Sequence, residues 1–192
     1  MKEKGDPGAK DLQRHMYFMR IAETVAEGAN CFGRSVGSVI VRDNRIVSTG
    51  YNGTPEGVKN CRDQGCPRCD ARAKESMGIT EGGYYDICLC VHAEENALVT
   101  AARFGSSVEG GTLYTTVQPC FICMRELLQA KILYAYYRDS WAHPKTKDWP
   151  DIDAAYGSMK KVFTVFRQIE MPASGSAAVL NGPESAKPRR AP

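Results

Sequence analysis

No stretch of the 192-residue chain stays apolar over the roughly 18–20 consecutive residues that a membrane-spanning helix requires. The opening run MKEKGDPGAKDLQRH lacks the apolar centre of a secretory leader. Both absences point to a cytoplasmic protein with no membrane partner. Charge of one sign is also scarce: the formal net charge is +3, part of it in the closing KPRRAP, too little to argue for a nucleic-acid partner. No internal repeat is visible. With 43% hydrophobic and 24% charged residues, the chain is long enough for one domain with a core and short for two. What is plentiful is cysteine. Eight thiols in a reducing compartment make metal ligation the first explanation to test, ahead of disulfides.

Residues 10–29 place Leu12, Met16, Met19, Ala22, Val25 and Ala26 at spacings of three and four, which predicts an amphipathic helix. Two β-rich runs flank Asp43-Asn44, the signature of a hairpin. AEENALVTAAR (93–103) is rich in helix formers and is stopped by Gly105. GTLYTTV is a strand, and Pro119 marks the start of the helix CFICMRELLQA. ILYAYY, DIDAAYGSMKK and VFTVFRQI add a strand, a short helix and a strand. The order α-β-β-α-β-α-β-α-β predicts an α/β fold, a three-layer α-β-α sandwich around a mixed central sheet of about five strands. Residues 10–170 form the expected single domain, with 1–9 a flexible N-terminus and 171–192 a disordered tail rich in Ala, Ser, Gly, Pro and Arg. Residues 51–91 resist this scheme as a long loop without periodicity. That loop carries Cys61, Cys66, Cys69, Cys88 and Cys90 and no histidine, so thiols could staple it around a metal or simply pack as small buried side chains.

The chemistry concentrates in two short motifs. Cys120 and Cys123 lie three apart at a helix start, so both sulfurs leave one face where the helix dipole favours thiolate. His92 opens the preceding helix, with one strand between. Two such helices begin at the same sheet edge, which brings His92, Cys120 and Cys123 around one point. Three protein ligands with the fourth tetrahedral position left for water is the pattern of a catalytic zinc site. Residues two apart on a regular helix diverge, so His92 has to sit at or before the first turn. Glu94 then reaches the metal's open side without ligating, while Glu95 points away as a solvated first-turn carboxylate.

His92-Ala93-Glu94 with Pro119-Cys120-Phe121-Ile122-Cys123 matches the H-x-E…P-C-x-x-C signature of zinc-dependent nucleobase deaminases. Beyond it, YFMRIAETVAEGANC, VGSVIVRDNRIVSTGYNGTPEG and VHAEENALVTAARFGSSVEGGTLYTTVQPCFIC resemble the deoxycytidylate (dCMP) deaminases over roughly residues 16–141. The resemblance implies a cytidine deaminase-like fold and a zinc enzyme that converts dCMP to dUMP and ammonia, upstream of thymidylate. It further implies Glu94 as proton shuttle, Asn52 as a hydrogen-bond partner of sugar or base, and the backbone at Ala93 reading the pyrimidine. Tyr137 and Trp141 fall among the pocket aromatics, Arg34 is the expected phosphate contact, and Arg103 falls on an arginine linked to nucleotide effectors. By the same likeness the protein is a homo-oligomer, expected as a hexamer, answering to dCTP and dTTP with Mg accompanying the effector. A second, structural zinc is expected from Cys31, Cys61, Cys66 and Cys88, with Cys69 and Cys90 as alternates.

The chain departs from the family at Lys131, where a glycine is usual, and at Tyr134 and Ala135. Other readings remain open at this point: a deaminase of another free base or nucleotide, a nucleic-acid-editing deaminase, and a zinc-stapled regulatory protein with no catalysis. Glu94 argues against the last, because a purely structural zinc site needs no such carboxylate.

Overall fold

The computed structural model describes residues 9–73, 88–142 and 151–171. The N-terminus through residue 8, the tail from 172 and part of the expected loop (74–87) lie outside the described residues.

Helix α1 (Ala9–Ala26) turns Phe18, Met19, Ala22 and Ala26 into the protein. Its expected apolar stripe is shifted in two places. Leu12, in the first turn and at the margin of that face, is exposed, and Phe18, outside the expected set, is buried. Strand β1 (Gly37–Arg42) then turns back into β2 (Arg45–Tyr51) through Asp43 and Asn44, whose φ angles of 50° and 59° are those of a two-residue primed turn. The segment expected to be structureless contains a 3-10 turn at Cys61–Asp63 and the short helix α2 (Pro67–Ala73). These are too brief for a periodic apolar pattern to announce them.

Helix α3 (Ala93–Arg103) ends as its sequence predicts. Gly105 N–H bonds the Ala102 carbonyl at 3.1 Å and Ser106 N–H bonds Ala101 at 2.9 Å, the paired closure of a Schellman motif. Strand β3 (Thr112–Val117), helix α4 (Phe121–Gln129), strand β4 (Tyr134–Asp139), helix α5 (Asp151–Lys160) and strand β5 (Val165–Gln168) follow. Pro119 sits one residue outside the cap of α4 rather than inside the helix. Strand β4 starts two residues later than its apolar run, because Ile132 N–H still closes α4 on the Leu127 carbonyl at 3.0 Å.

The sheet order is β2-β1-β3-β4-β5, antiparallel from β2 to β3 and parallel from β3 to β5, hence mixed and five-stranded as expected. Period-two alternation divides the strands between two cores. Ile40, Leu113 and Ala135 point to the face where Ala97, Met124, Leu127 and Tyr156 pack from α3, α4 and α5. Val39, Val41, Tyr114 and Tyr136 point to the face covered by α1. One close approach fixes where α3 starts. A Cβ on Gly50 of β2 would lie 2.3 Å from the Ala93 carbonyl oxygen and 2.4 Å from Ala97 N, so only glycine lets the helix come so near. Strand β1 runs against β3, so its beginning shares one sheet edge with the ends of β2, β3 and β4.

Candidate metal centre

At that edge the N-termini of α3 and α4 converge. His92 is the cap residue of α3, with extended backbone at φ −73° and ψ 158°, and Cys120 caps α4 in the same way at φ −71° and ψ 173°. Extended geometry directs the His92 ring off the helix axis, so that Glu94, two residues on, faces the same space. Val91 is held by a two-way backbone bridge to Gly53 (2.9 and 3.2 Å), which fixes the chain just before His92. Glu95 does not simply point into solvent: its carboxylate accepts from the His92 backbone N–H at 3.4 Å, half of a capping box.

His92 Nδ1 lies 3.3 Å from Cys120 Sγ and 3.3 Å from Cys123 Sγ, and the two sulfurs are 3.6 Å apart. Around a tetrahedral zinc, Zn–S of about 2.3 Å and Zn–N of about 2.0 Å place two sulfurs ~3.8 Å apart and sulfur and nitrogen ~3.5 Å apart. The donor set and its spacing therefore fit such an ion. Hydrogen bonding from Cys123, and then from His92, holds the Cys120 thiol well below its ordinary range. Sharing that bond pushes Cys123 up, and the Cys120 partner raises His92 to about 9. Binding a divalent cation to these three donors requires deprotonated thiols and a neutral imidazole, so it would release protons.

Glu94 is only 4% exposed. Burial first, and the neighbouring Cys120 charge second, raise its carboxyl to about 7, against the influence of His92. It lies beside Cys123 without belonging to the three-atom donor group. A carboxyl poised near neutrality at the rim of a three-donor site can take up and release a proton there.

A profile of the cytidine and deoxycytidylate deaminase zinc-binding region matches residues 12–138. The chain belongs to that deaminase family. Deoxycytidylate deaminase of Schizosaccharomyces pombe is 42% identical over 125 residues, and that of Saccharomyces cerevisiae 41% over 125 residues. Each alignment takes in 65% of this chain but 37% of the yeast protein, so the chain matches little more than a third of those relatives' length. Deoxycytidylate deaminase of Enterobacteria phage T4 is 33% identical, with 70% of this chain and 81% of the phage protein aligned. Among solved structures, dCMP deaminase of cyanophage S-TIM5 in complex with dCMP and dUMP superposes with a TM-score of 0.55 at 26% identity, covering 79% of this chain and 93% of that one.

Within this deaminase fold, the other expected site residues separate. The buried Asn52 amide accepts from Val36 N–H at 2.8 Å and donates to the Arg34 carbonyl at 3.0 Å. It clamps the entry to β1, leaving one N–H and one lone pair for anything else. Arg34 is exposed, and its charge helps hold Asp139 below the usual carboxylate range, after the larger effect of Arg138. Ala93 is fully buried against β2. Tyr137 packs on Phe166 at 5.2 Å between ring centres, and Trp141 on Tyr156 at 5.8 Å. Arg103 closes α3, about 16 Å from His92 at 1.5 Å per residue, and pairs with Glu56 at 3.4 Å.

Sequence reasoning missed two residues behind Cys120. The buried Gln118 donates to Tyr156 Oη at 2.9 Å and to the Trp141 carbonyl at 3.1 Å, and Tyr156 Oη donates to the Pro119 carbonyl. A glutamine wedged between a buried strand and Pro-Cys was the available signal. Tyr156, 37 residues from Pro119, offered none.

The remaining six thiols are all free. Cys31, Cys61, Cys66 and Cys88, the expected quartet, do not come together as one group. Cys31 and Cys61 gather with Cys69 and Cys90, whereas Cys66 and Cys88 gather with the same Cys69 and Cys90. The physical reason is local. Cys66 and Cys69 are one helical turn apart and share a face, and they meet Cys88 and Cys90, which are two residues apart just before α3. Hydrogen bonds shared with Cys90 push the Cys31 and Cys88 thiols down.

Proposed function

We propose that the protein hydrolyses dCMP to dUMP and ammonia at the centre formed by His92, Cys120 and Cys123, with Glu94 as the proton carrier. The observation that carries this reading is the buried Glu94 carboxyl beside a two-thiol, one-imidazole donor set. Zinc, when bound there, supplies a Lewis acid that makes water nucleophilic at neutral pH. Glu94 accepts the proton of the attacking water and delivers it to ring nitrogen 3 as carbon 4 is attacked. It then takes the remaining proton from the hydroxyl on carbon 4 and gives it to the amine, so that the carbon–nitrogen bond breaks, ammonia leaves and a carbonyl remains. Glu95 holds the His92 backbone, and Gln118 with Tyr156 holds the Pro119 peptide that aims Cys120. The yeast and phage relatives, and the dCMP and dUMP of the cyanophage complex, support the nucleotide as substrate.

The finer assignments belong to the same reading. Residues 10–170 act as one deaminase domain. Arg34 is the phosphate contact, Tyr137 and Trp141 border the base, Ala93 reads the pyrimidine through its backbone, and Asn52 shapes that wall by fixing residues 34–36. Arg103 is linked to a nucleotide effector, dCTP or dTTP with Mg, and the thiol-rich segment holds structural zinc. Exposed Val99, Phe104 and Ile122 on α3 and α4 support self-association into a homo-oligomer. The product dUMP would feed thymidylate synthesis, and no helix of the described residues is long and apolar enough to cross a membrane. The test is ammonia release over dCMP, CMP, deoxycytidine, dCTP, guanine and single-stranded DNA, with and without dCTP. Turnover led by dCMP is expected. Activity confined to a non-cytosine base would refute the substrate while sparing the centre.

A further inference from the structure

Next to the two apolar cores lies a third buried cluster of different chemistry. Its buried members are Cys61, Cys66, Cys69 and Cys90, and the side chains packed against it are Cys31 and Cys88. Among the described residues, this part of the chain is gathered around sulfur. Three separate segments meet: the connection after α1 (Cys31), the turn into α2 with its helix (Cys61, Cys66, Cys69) and the approach to α3 (Cys88, Cys90).

The sulfurs sort into two overlapping quartets. Cys31 and Cys61 fall only in the first, Cys66 and Cys88 only in the second, and Cys69 and Cys90 in both, each quartet having all its sulfurs within 4.8 Å of one another. Individual separations run from 2.9 Å for Cys61–Cys90, through 3.8 Å for Cys31–Cys69, to 4.0 Å for Cys66–Cys88. Tetrahedral thiolate zinc holds its sulfurs ~3.8 Å apart. A single ion satisfies only one quartet and strands two thiols, including either Cys61 or Cys66, both wholly buried. Six thiolates supply the eight positions of two tetrahedral ions when two of them bridge.

We propose that Cys31, Cys61, Cys66, Cys69, Cys88 and Cys90 hold a two-zinc thiolate cluster in which Cys69 and Cys90 are shared by both ions. Six thiolates and two divalent ions leave a net charge of about −2, which a buried site has to compensate. Arg68, a guanidinium only 4% exposed, donates to Cys88 Sγ at 4.0 Å, and Gly33 N–H donates to Cys31 Sγ at 3.4 Å. Arginine stays charged wherever it is buried, so its place against Cys88 is that of a counter-ion to thiolate. The cluster also reaches the first centre through the backbone. Cys90 precedes His92 by two residues, and Cys31 precedes by three the Arg34 carbonyl that Asn52 binds. Two metals here cross-link three segments of the chain, and so fix the approach to His92.

The inference does not depend on the deaminase reading, and one set of measurements separates them. Purified full-length protein, dialysed against metal-free buffer, is expected to retain about three zinc ions per chain by mass spectrometry, one at the first centre and two in the cluster. A Cys120→Ser/Cys123→Ser variant should lose one ion and keep the other two. After exchange with cadmium-113, the two cluster ions should give separate resonances, split by coupling to one another through the shared sulfurs. A count of about two in the parent protein that falls to about one in the Cys120→Ser/Cys123→Ser variant overturns the second cluster ion. Three ions with no cadmium–cadmium coupling overturn the shared sulfurs. Both measurements use the parent protein, so a Cys69→Ser variant that fails to fold does not blunt the test. Where that variant does fold, it should lose both cluster ions together, and loss of only one would refute bridging.

Discussion

Glu94→Gln isolates the proton chemistry from everything else at the centre. The glutamine matches the carboxyl in size, so the pocket around a side chain only 4% exposed neither collapses nor overfills. His92, Cys120 and Cys123 keep their positions, because these follow from the caps of α3 and α4 and not from Glu94. What disappears is a group held at about 7 by burial and by the Cys120 charge, suited to accept and release a proton near neutral pH. General acid–base catalysis by one positioned group contributes about 10²- to 10⁴-fold, or roughly 3–5 kcal/mol of barrier. The expected result is a loss of that size in kcat for dCMP, little change in KM and an unchanged zinc content. Stability provides a control whose sign is fixed. The folded carboxyl titrates above its ordinary value, so its contribution is fullest below about 4.5 and is lost as pH rises through 7. At pH 8 the glutamine variant should melt no lower than the parent. Glu95→Gln is the matched comparison: it weakens one capping bond of 3.4 Å and should cost no more than a few-fold in kcat. Retention of activity within tenfold by Glu94→Gln, or a loss that follows departure of zinc, would refute the assignment.

Gly50→Ala should destabilise the fold by more than about 2 kcal/mol in chemical denaturation and lower zinc occupancy at the first centre, since its Cβ would meet the Ala93 carbonyl at 2.3 Å. At position 131 the usual helix preference should invert. Lys131 follows α4 with a φ of 59°, so Lys131→Gly should be more stable than Lys131→Ala by about 1 kcal/mol, and the reverse order would refute backbone strain there. Comparing the two variants cancels loss of the exposed Glu109 ion pair, which both remove. Tyr156→Phe leaves the Pro119 carbonyl and Gln118 without their hydroxyl partner, and should cost about 1–3 kcal/mol by thermal or urea unfolding. A neutral result would mean that water replaces the hydroxyl.

What the sequence discloses here is what local chemistry determines. Asp43-Asn44 announces its turn because few residue pairs accept two positive φ angles, and Gly105 announces the end of α3 for a related reason. The convergence of His92 with Cys120 and Cys123 was legible because two helices joined through one strand must begin at the same sheet edge. Lys131 was visible only as a departure from a family glycine, and its φ shows what that glycine provides. Illegible features depend on contacts between distant segments. Phe18 is buried and Leu12 exposed, against the helical pattern, and the Gln118–Tyr156 bond spans 38 residues.

Asn52 and the six loop thiols show a subtler limit. Resemblance attaches a role to a position, but a side chain with two hydrogen-bonding ends serves whichever partners the backbone brings to it. Asn52 meets the Arg34 carbonyl and the Val36 N–H. Its effect on a nucleotide would therefore pass through the shape of residues 34–36. Likewise, choosing four of six cysteines assumes that one ion organises the loop. The pairings Cys66-x-x-Cys69 and Cys88-x-Cys90 each offer one thiol to a quartet of its own and one to both quartets. Spacing alone reveals only that the members of each pair lie close along the chain. Only the meeting of the pairs with Cys31 and Cys61 shows that the shared thiols lie between two groups, and this makes metal count, rather than ligand choice, the decisive quantity.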